Sequence, residues 1–300
     1  MCWRRPLLSP IYLDGCAYSV GVSQPIESLW REGVLSPQSY EDCIDRGIET
    51  YCAGGGSIAE MSATATARAL ASAGLSPDAV DCVVVAEGTV PVELSHARVV
   101  LQERDCAAFC AGIEAAAAQI AAGLAANVLV LLAGHVPDGC SRFNPELGTV
   151  FGDGAAACIV SSRRRGFAVK SAESWLENNP ARASSLAAPS GEQMLQDFLR
   201  LQNLLRLSYE SAMIAPDAVT ALCGTHGSQI YLELMAEAAD LPYERVYGAA
   251  MQEFGHVFAC DNLIALAHFL AHRGHASGRV FCLIGWSPRA AGVVLLEEVA

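Results

Sequence analysis

Three side chains that can act as a nucleophile or move protons lie where the sequence predicts the ends of helices and strands. Cys110 stands where an alanine-rich helix begins, and the positive end of a helix dipole favours the thiolate form of cysteine. His226 follows an apolar strand, and His256 precedes a helix that begins near Asn262. A thiol combined with imidazole bases is a typical set for covalent catalysis. The pattern predicts Cys110 as the nucleophile and the two histidines as bases or hydrogen-bond donors.

The elements that must position these residues alternate along the chain. Apolar runs at 81–86, 128–133, 219–223 and 280–284 predict buried strands, and segments 110–124, 230–239 and 262–273 predict helices. This alternation predicts an α/β protein with a parallel sheet between helical layers. Active sites in such sheets lie at the carboxyl ends of strands, where His226 is placed.

The two halves of the chain repeat one another. Pro77-Asp78-Ala79-Val80 leads into one predicted strand, and Pro216-Asp217-Ala218-Val219 leads into another at an offset of 139 residues. The elements that follow come in the same order. The repetition predicts a duplicated α/β unit, with an amino-terminal half at 1–165 that carries the nucleophile and a carboxyl-terminal half at 166–300 that carries the histidines.

Composition excludes several classes of function. The 300 residues include 19 basic and 32 acidic side chains, a net charge of −13, which disfavours nucleic acids and anionic membranes as partners. Hydrophobic residues make up 52% and charged residues 17%, so a large core is expected. The twelve scattered cysteines form no CxxC pair, which is typical of buried thiols in a reducing cytoplasm. No signal peptide is expected, and residues 115–134 are predicted as helix, turn and strand rather than a membrane span.

Other reactive residues have structural interpretations. His268 and His272 are spaced to share one helix face, but a zinc site needs three or four ligands and no metal site is predicted. Cys106, one helical turn before Cys110, is predicted to be packed in the core. Asp153 lies between two glycines, where a carboxylate commonly accepts backbone N–H groups.

Four segments together resemble a known family. These are Cys110-Ala111-Gly112-Ile113, the turn at 151–157, His226-Gly227-Ser228-Gln229, and His256 in its Gly-His setting. They are similar to the Cys-Ala-Gly-Phe, Phe-Gly-Asp-Gly-Ala-Gly-Ala, His-Gln-Ala-Asn and Gly-Asn-Thr-Ser motifs of the β-ketoacyl-acyl-carrier-protein synthase III group of the thiolase superfamily. In this resemblance His256 stands where the family has asparagine.

The resemblance implies a thiolase-like α/β/α/β/α five-layer duplication, assembled as a homodimer. It also implies that Cys110 takes an acyl group from a thioester of coenzyme A or of an acyl carrier protein, with no resident cofactor. The acyl group then passes to carbon by decarboxylative condensation, or to oxygen or nitrogen by acyl transfer. The alternative is a non-catalytic partner subunit of a heterodimeric condensing enzyme, which the retained Cys110 and His226 disfavour.

The resemblance assigns the remaining site residues by position. His226 is a base or carbonyl donor, and the oxyanion hole uses the Cys110 N–H with one from Gly285-Trp286-Ser287. Gln229 falls in the substrate-binding motif.

Several family residues are replaced in this chain. Glu41, Leu147 and Tyr231 stand where the family has the tryptophan and arginines that bind coenzyme A or the carrier protein. These replacements favour acyl transfer to a small acceptor or an unusual partner.

Overall fold

The computed structural model describes residues 10–101, 105–177 and 191–299. Its helices are α1 (Ile26–Arg31), α2 (Pro37–Asp45), α3 (Ile58–Ala73), α4 (Ala108–Ala121), α5 (Gly191–Ala212), α6 (Gln229–Ala238), α7 (Ala249–Phe254) and α8 (Asp261–Arg273). Its strands are β1 (Tyr12–Val20), β2 (Val22–Pro25), β3 (Thr50–Ala53), β4 (Cys82–Ala86), β5 (Arg98–Leu101), β6 (Asn127–Gly134), β7 (Phe143–Asn144), β8 (Thr149–Val150), β9 (Gly154–Ser161), β10 (Phe167–Leu176), β11 (Val219–Gly224), β12 (Val280–Ser287) and β13 (Ala290–Glu298).

Nine of the described strands form one mixed sheet in the order β5-β4-β6-β9-β1-β10-β13-β12-β11. Pairing is parallel among β5, β4 and β6 and between β11 and β12, and antiparallel elsewhere. The prediction of a parallel sheet is therefore wrong for the middle of the sheet. One reason is that β12 turns directly into β13 through a short loop, and parallel pairing needs a longer crossover. The other is that β1 inserts between β9 and β10 and runs antiparallel to both.

The predicted duplication and five-layer architecture are confirmed. The order β4-β6-β9-β1 in one half of the sheet matches β11-β12-β13-β10 in the other half. Helices α4 and α8 lie between the two half-sheets, α3 covers the outer face of the first, and α5 and α6 cover the outer side of the second. The predicted boundary at residues 165 and 166 falls in the turn between β9 and β10 and stays a prediction.

Small residues let α4 fit between the two half-sheets. The helix is alanine-rich, and its residues 108–113 are all buried. A Cβ on Gly112 would lie 2.9 Å from Cγ1 of Val130, so β6 approaches the helix closely. The segment 115–134 is helix, turn and strand, as predicted. Within the part of the chain that the structure describes, no helix combines the length and apolar character needed to cross a bilayer.

Candidate active site

The two predicted histidines meet at one buried carboxylate, Asp261, the first residue of α8. Asp261 Oδ2 lies 2.5 Å from His256 Nδ1, and Oδ1 lies 3.4 Å from His226 Nδ1. The same carboxylate accepts the backbone N–H of His226 at 2.6 Å and of Val257 at 2.7 Å. Asp261 therefore fixes the positions of both imidazoles, and the sequence analysis did not identify it.

The charge of Asp261 is set by its burial and by its short contacts with the two histidines. Burial opposes ionisation of Asp261, but His226, His256 and the donated hydrogen bonds outweigh it and hold the pKa of the carboxyl below its usual value. An ionised carboxylate only accepts hydrogen bonds, so His256 donates through Nδ1 and its Nε2 is the proton acceptor of the neutral ring. His256 is thereby oriented as a general base.

His226 is buried and neutral at physiological pH. Burial lowers the pKa of its imidazole more than the Asp261 carboxylate raises it. Its Nε2 atom is buried and has no hydrogen-bond partner among residues 10–101, 105–177 and 191–299. A buried polar atom without a partner is costly unless a ligand satisfies it. This atom is well suited to contact a substrate carbonyl or a thiol.

The burial of His226 predicts an acid-sensitive stability. The unfolded histidine takes a proton below a pH of about 6.5, whereas the folded one resists it, so stability is complete above that pH and falls as the pH drops. The loss is at most about 1.4 kcal/mol per pH unit. We expect the difference in Tm between the wild type and His226→Gln to shrink as the pH falls from neutral. A constant difference across the series would contradict the neutral buried imidazole.

The glycine-rich turn after β8 holds the backbone of His256. Gly152 donates its N–H to the His256 carbonyl at 2.9 Å, and His256 donates its own to Val150 at 2.8 Å. Asp153 has the predicted structural role: it accepts the N–H groups of Gly54 and Val136 and forms an ion pair with Arg142. The turn therefore belongs to the support of the site.

Cys110 lies in the core beneath the site. It is fully buried in the first turn of α4, where a Cβ on Gly292 would lie 2.7 Å from its Sγ. Burial, followed by the charge of Glu114, raises the pKa of this thiol, which opposes the predicted thiolate. A hydrogen bond from the Gly285 backbone and any effect of the helix dipole are outweighed by the apolar surroundings.

Cys106 lies near Asp261, the carboxylate that His226 and His256 approach. It precedes α4 in a single helical turn, Asp105–Ala107, and is 8% exposed. Burial and the carboxylates of Asp105, Asp261 and Glu87 raise the pKa of its thiol. Cys106 is therefore mostly buried, as predicted, but it shares the charged surroundings of Asp261 and needs a base to become a thiolate.

The predicted oxyanion loop lies against Cys106 and differs in detail from the expectation. The Trp286 N–H is bonded to Thr225 Oγ1 at 3.0 Å, so it is not a free donor. The Ser287 hydroxyl donates to Asp105 Oδ2 at 3.1 Å. Gln229 donates its side-chain amide to Glu233 on an exposed helix face, so its amide is not directed into the site.

Gly285 is needed for the close approach of the loop to the turn that contains Cys106. A Cβ on Gly285 would lie 2.1 Å from the Cys106 carbonyl oxygen, a backbone atom that cannot move aside alone. We expect Gly285→Ala to cost about 1–3 kcal/mol of stability, as overpacking does, and to displace Cys106. Thermal unfolding measures the first effect, and the rate of Cys106 alkylation by iodoacetamide, followed by peptide mapping, measures the second. Gly191→Ala is the control, since none of the residues that the structure describes lies within 4 Å of its added methyl group; equal stability of the two variants would contradict the contact.

An apolar cavity of about 310 Å³ adjoins these residues. Tyr231 and Trp286 form part of its wall, with ring centres 5.0 Å apart. Burial, followed by interaction with Cys106, raises the pKa of the Tyr231 phenol, so this wall of the cavity lies near the thiol. The remaining lining residues come mainly from α5 and α6: Met194, Leu195, Asp197, Phe198, Leu234, Glu237 and Pro288.

Comparison with known proteins agrees with this architecture. Residues 102–174 match the family model of 3-oxoacyl-[acyl-carrier-protein] synthase III. The β-ketoacyl-[acyl-carrier-protein] synthase III of Aquifex aeolicus (strain VF5) is 25% identical over 231 residues, covering 70% of this chain and 74% of that protein. Its counterpart from Chlamydia caviae is 22% identical, covering 91% of this chain and 97% of that protein.

Solved structures share the fold at low identity. The acyltransferase ChlB3 superposes with a TM-score of 0.84 at 17% identity, covering 97% of this chain and 98% of its own. The Aquifex aeolicus VF5 synthase III superposes with a TM-score of 0.77 at 20% identity, covering 96% and 99%. With the duplicated five-layer fold, these matches lead to one conclusion. The chain has the fold of these thiolase-like proteins and is similar, at low identity, to β-ketoacyl-acyl-carrier-protein synthase III.

Proposed function

We propose that the protein is an acyltransferase that takes an acyl group from a thioester onto Cys106 and passes it to a hydroxyl or amino group. The observation that carries the proposal is the buried Asp261 carboxylate, which orients two imidazoles beside one mostly buried thiol. Cys106 replaces the predicted Cys110 in this role, because Cys110 is enclosed against Gly292.

The chemistry has two steps that use the same bases. In the first, an imidazole takes the Cys106 proton while Sγ attacks the thioester carbonyl; the bond to the leaving thiol breaks and that thiol takes the proton. In the second, the acceptor O–H or N–H gives its proton to the imidazole as it attacks the acyl carbon, and Cys106 leaves and is protonated again. His256, with Nε2 left as acceptor, is suited to the proton transfers, and His226, in the neutral form that carries its proton on Nε2, is suited to donate to the carbonyl oxygen.

The charge around Cys106 favours acyl transfer over condensation. Asp105, Asp261 and Glu87 all act on its thiol, and like charges disfavour the approach of the free carboxylate that a malonyl thioester carries. A neutral alcohol or an amine meets no such opposition. The description of the neighbour ChlB3 as an acyltransferase agrees with this choice.

Decarboxylative condensation is the second candidate function. The matched family model and the curated relatives are named as 3-oxoacyl synthases, and two imidazoles can both hydrogen-bond a thioester carbonyl. The third candidate, a non-catalytic partner subunit, has less support because thiol, base and carboxylate remain together.

The apolar cavity is the proposed site for the body of a small substrate. Its volume of about 310 Å³ lies at the lower end of ligand pockets. Tyr231, at a position where the resemblance has a carrier-docking arginine, is 9% exposed and packs on Trp286. It therefore shapes the cavity rather than an exposed docking surface, and the donor is a thioester of coenzyme A or of a carrier that binds elsewhere.

The test locates the acyl group on the protein and measures the release of carbon dioxide. The protein is incubated with a panel of acyl-coenzyme A thioesters, and intact mass with peptide mapping locates the adduct. The acyl-enzyme is then mixed with malonyl-coenzyme A, or with a panel of small amines and alcohols. Transfer to an amine or alcohol without carbon dioxide release supports the proposal; release with the malonyl thioester supports condensation, and no adduct with any thioester supports the partner subunit.

The homodimer is a further part of the proposal. Strand β5 lies at one end of the sheet order, and its Val99 and Leu101 are 45% and 78% exposed. An apolar edge strand is a template for pairing with a second copy. We expect a dimer by light scattering and a monomer for Leu101→Lys, while Leu124→Lys, an exposed site after α4, leaves the mass unchanged. A monomeric wild type at micromolar concentration would contradict this interface.

A further inference from the structure

We propose that Asp105 is a positioning residue for Cys106, held in place by Ser287 and Arg289 at the tip of the β12–β13 hairpin. The inference rests on the proposed role of Cys106 as the nucleophile. It adds a connection between that thiol and a loop of the other half of the chain.

One oxygen of the Asp105 carboxylate contacts the β12–β13 hairpin, and the other contacts the Cys106 thiol. Its Oδ2 accepts hydrogen bonds from the Ser287 hydroxyl at 3.1 Å and from Arg289 Nε at 3.2 Å, and Arg289 Nη2 lies 3.1 Å away. Its Oδ1 lies 3.8 Å from Cys106 Sγ, where the thiol is the donor. One carboxylate therefore connects the thiol to the hairpin tip, and we call Asp105, Ser287 and Arg289 the hairpin clamp.

The backbone at Asp105 is strained. Its φ is +51°, in the left-handed region that non-glycine residues seldom adopt. Three of the five described non-glycine residues with positive φ are Glu87, Asp105 and Phe258, which lie around Cys106 and His256. Strained residues persist where surrounding contacts over-determine them, and they concentrate at functional sites. The hairpin clamp supplies such contacts directly before Cys106.

The hairpin tip is itself rigid enough to act as an anchor. Ser287 Oγ accepts the N–H of Ala290 at 3.1 Å and of Arg289 at 3.3 Å, which fixes the hydroxyl toward Asp105. The Gly285 side of the same hairpin touches the Cys106 carbonyl. The turn that contains Cys106 is thus held at two points. Gly285 packs against the Cys106 carbonyl, and the Asp105 side chain is held by the hairpin tip.

The clamp also balances charge at the thiol. The Asp105 carboxylate disfavours the Cys106 thiolate, and Arg289 offsets part of that charge. The other titratable groups that act with Cys106 are Asp261 and Glu87, which are acidic, and the phenol of Tyr231. Removing Asp105 or Arg289 should therefore change the acidity of Cys106 in opposite directions, which a purely structural role would not produce.

The test measures alkylation of Cys106 by iodoacetamide as a function of pH, with peptide mapping. Asparagine tolerates the left-handed region, so Asp105→Asn keeps the turn and removes the charge. We expect its alkylation midpoint to move about one unit to lower pH, and that of Arg289→Gln about one unit to higher pH. Ser287→Ala should slow acyl loading with little change in the midpoint, and Arg206→Gln, in an exposed helix pair, is the control.

The outcomes separate this inference from the proposed function. Opposite shifts in the two charge variants support the clamp. Superimposable profiles for the wild type, Asp105→Asn and Arg289→Gln overturn it, while acyl loading on Cys106 in those proteins would leave the proposed function intact. If Asp105→Asn does not fold, an unshifted midpoint in Arg289→Gln overturns the clamp alone. No alkylation of the wild-type Cys106 at any pH would overturn the proposed nucleophile and the clamp with it.

Discussion

Replacing Cys106 with alanine should abolish formation of the acyl-enzyme and lower turnover by about 10⁴-fold or more, as loss of a nucleophile does in comparable hydrolases. The reason is that Cys106 interacts with Asp261, the carboxylate beside both imidazoles, so its removal takes away the thiol that these bases are proposed to serve. Intact mass after incubation with an acyl thioester measures the adduct, and a steady-state assay measures turnover.

Cys110→Ala is the matched control, because it removes a thiol one helical turn away. Its Sγ is enclosed against Gly292, so we expect loading on Cys106 to continue and stability to fall by about 1 kcal/mol. An acyl group on Cys110, or loading that survives in Cys106→Ala, would restore the assignment made from the sequence. Loss of loading in both variants with native thermal stability would indicate that the two thiols act together.

The sequence is ambiguous about the nucleophile for a definite reason. Cys110-Ala111-Gly112-Ile113 matches the family motif Cys-Ala-Gly-Phe in its first three positions, and Cys106-Ala107-Ala108-Phe109 matches it in the first, second and fourth. The motif alone does not rank them. What separates them is where α4 begins, since Ala108 is its first residue and only the earlier cysteine precedes the helix. A helix start is among the least certain features of a sequence-based prediction.

The sequence carried a weaker signal for the role of Asp261 than for the cysteines. Asp261 is followed by Asn262 and then by an apolar run, which is the usual setting of an acidic residue in a first helical turn. Its contact with His256 spans only five residues, but its contact with His226 spans 35 and depends on β11 ending beside α8. Tertiary placement of this kind cannot be read from local spacing.

The fold was easier to predict because the sequence contains it twice. The Pro77 and Pro216 segments form equivalent short helical turns before β4 and β11, and each strand pairs in parallel with the strand that follows a central helix. The apolar runs located these strands well. Strand direction at the centre depends on pairing between segments far apart in the chain and not on apolar pattern, which is why the antiparallel pairing of β9, β1, β10 and β13 was missed.

Asp261→Asn should have the second large effect, a fall in turnover of about 10³–10⁴-fold, similar to loss of the orienting carboxylate in a catalytic triad. The carboxylate accepts three hydrogen bonds, from the backbone N–H groups of His226 and Val257 and from His256 Nδ1, and His226 Nδ1 lies 3.4 Å away. An amide presents a donor at one of its two positions. If the amide nitrogen faces His256, the ring must accept through Nδ1, and Nε2 then carries the proton and cannot act as a base.

The same change should cost stability, because the amide leaves at least one buried N–H without an acceptor, at about 1–3 kcal/mol. Asp81→Asn separates this cost from the catalytic one, since Asp81 also accepts two backbone N–H groups, those of Ala126 and Asn127, away from the site. We expect Asp81→Asn to lower Tm without lowering turnover per folded molecule. In Asp261→Asn, single-turnover measurements should show that loading of Cys106 and transfer to the acceptor are both slowed, because both steps need the oriented imidazole. Wild-type rates in a folded Asp261→Asn protein would mean that the histidines are positioned without the carboxylate, and the central element of the site would have to be sought in the backbone of the turn at 151–154 instead.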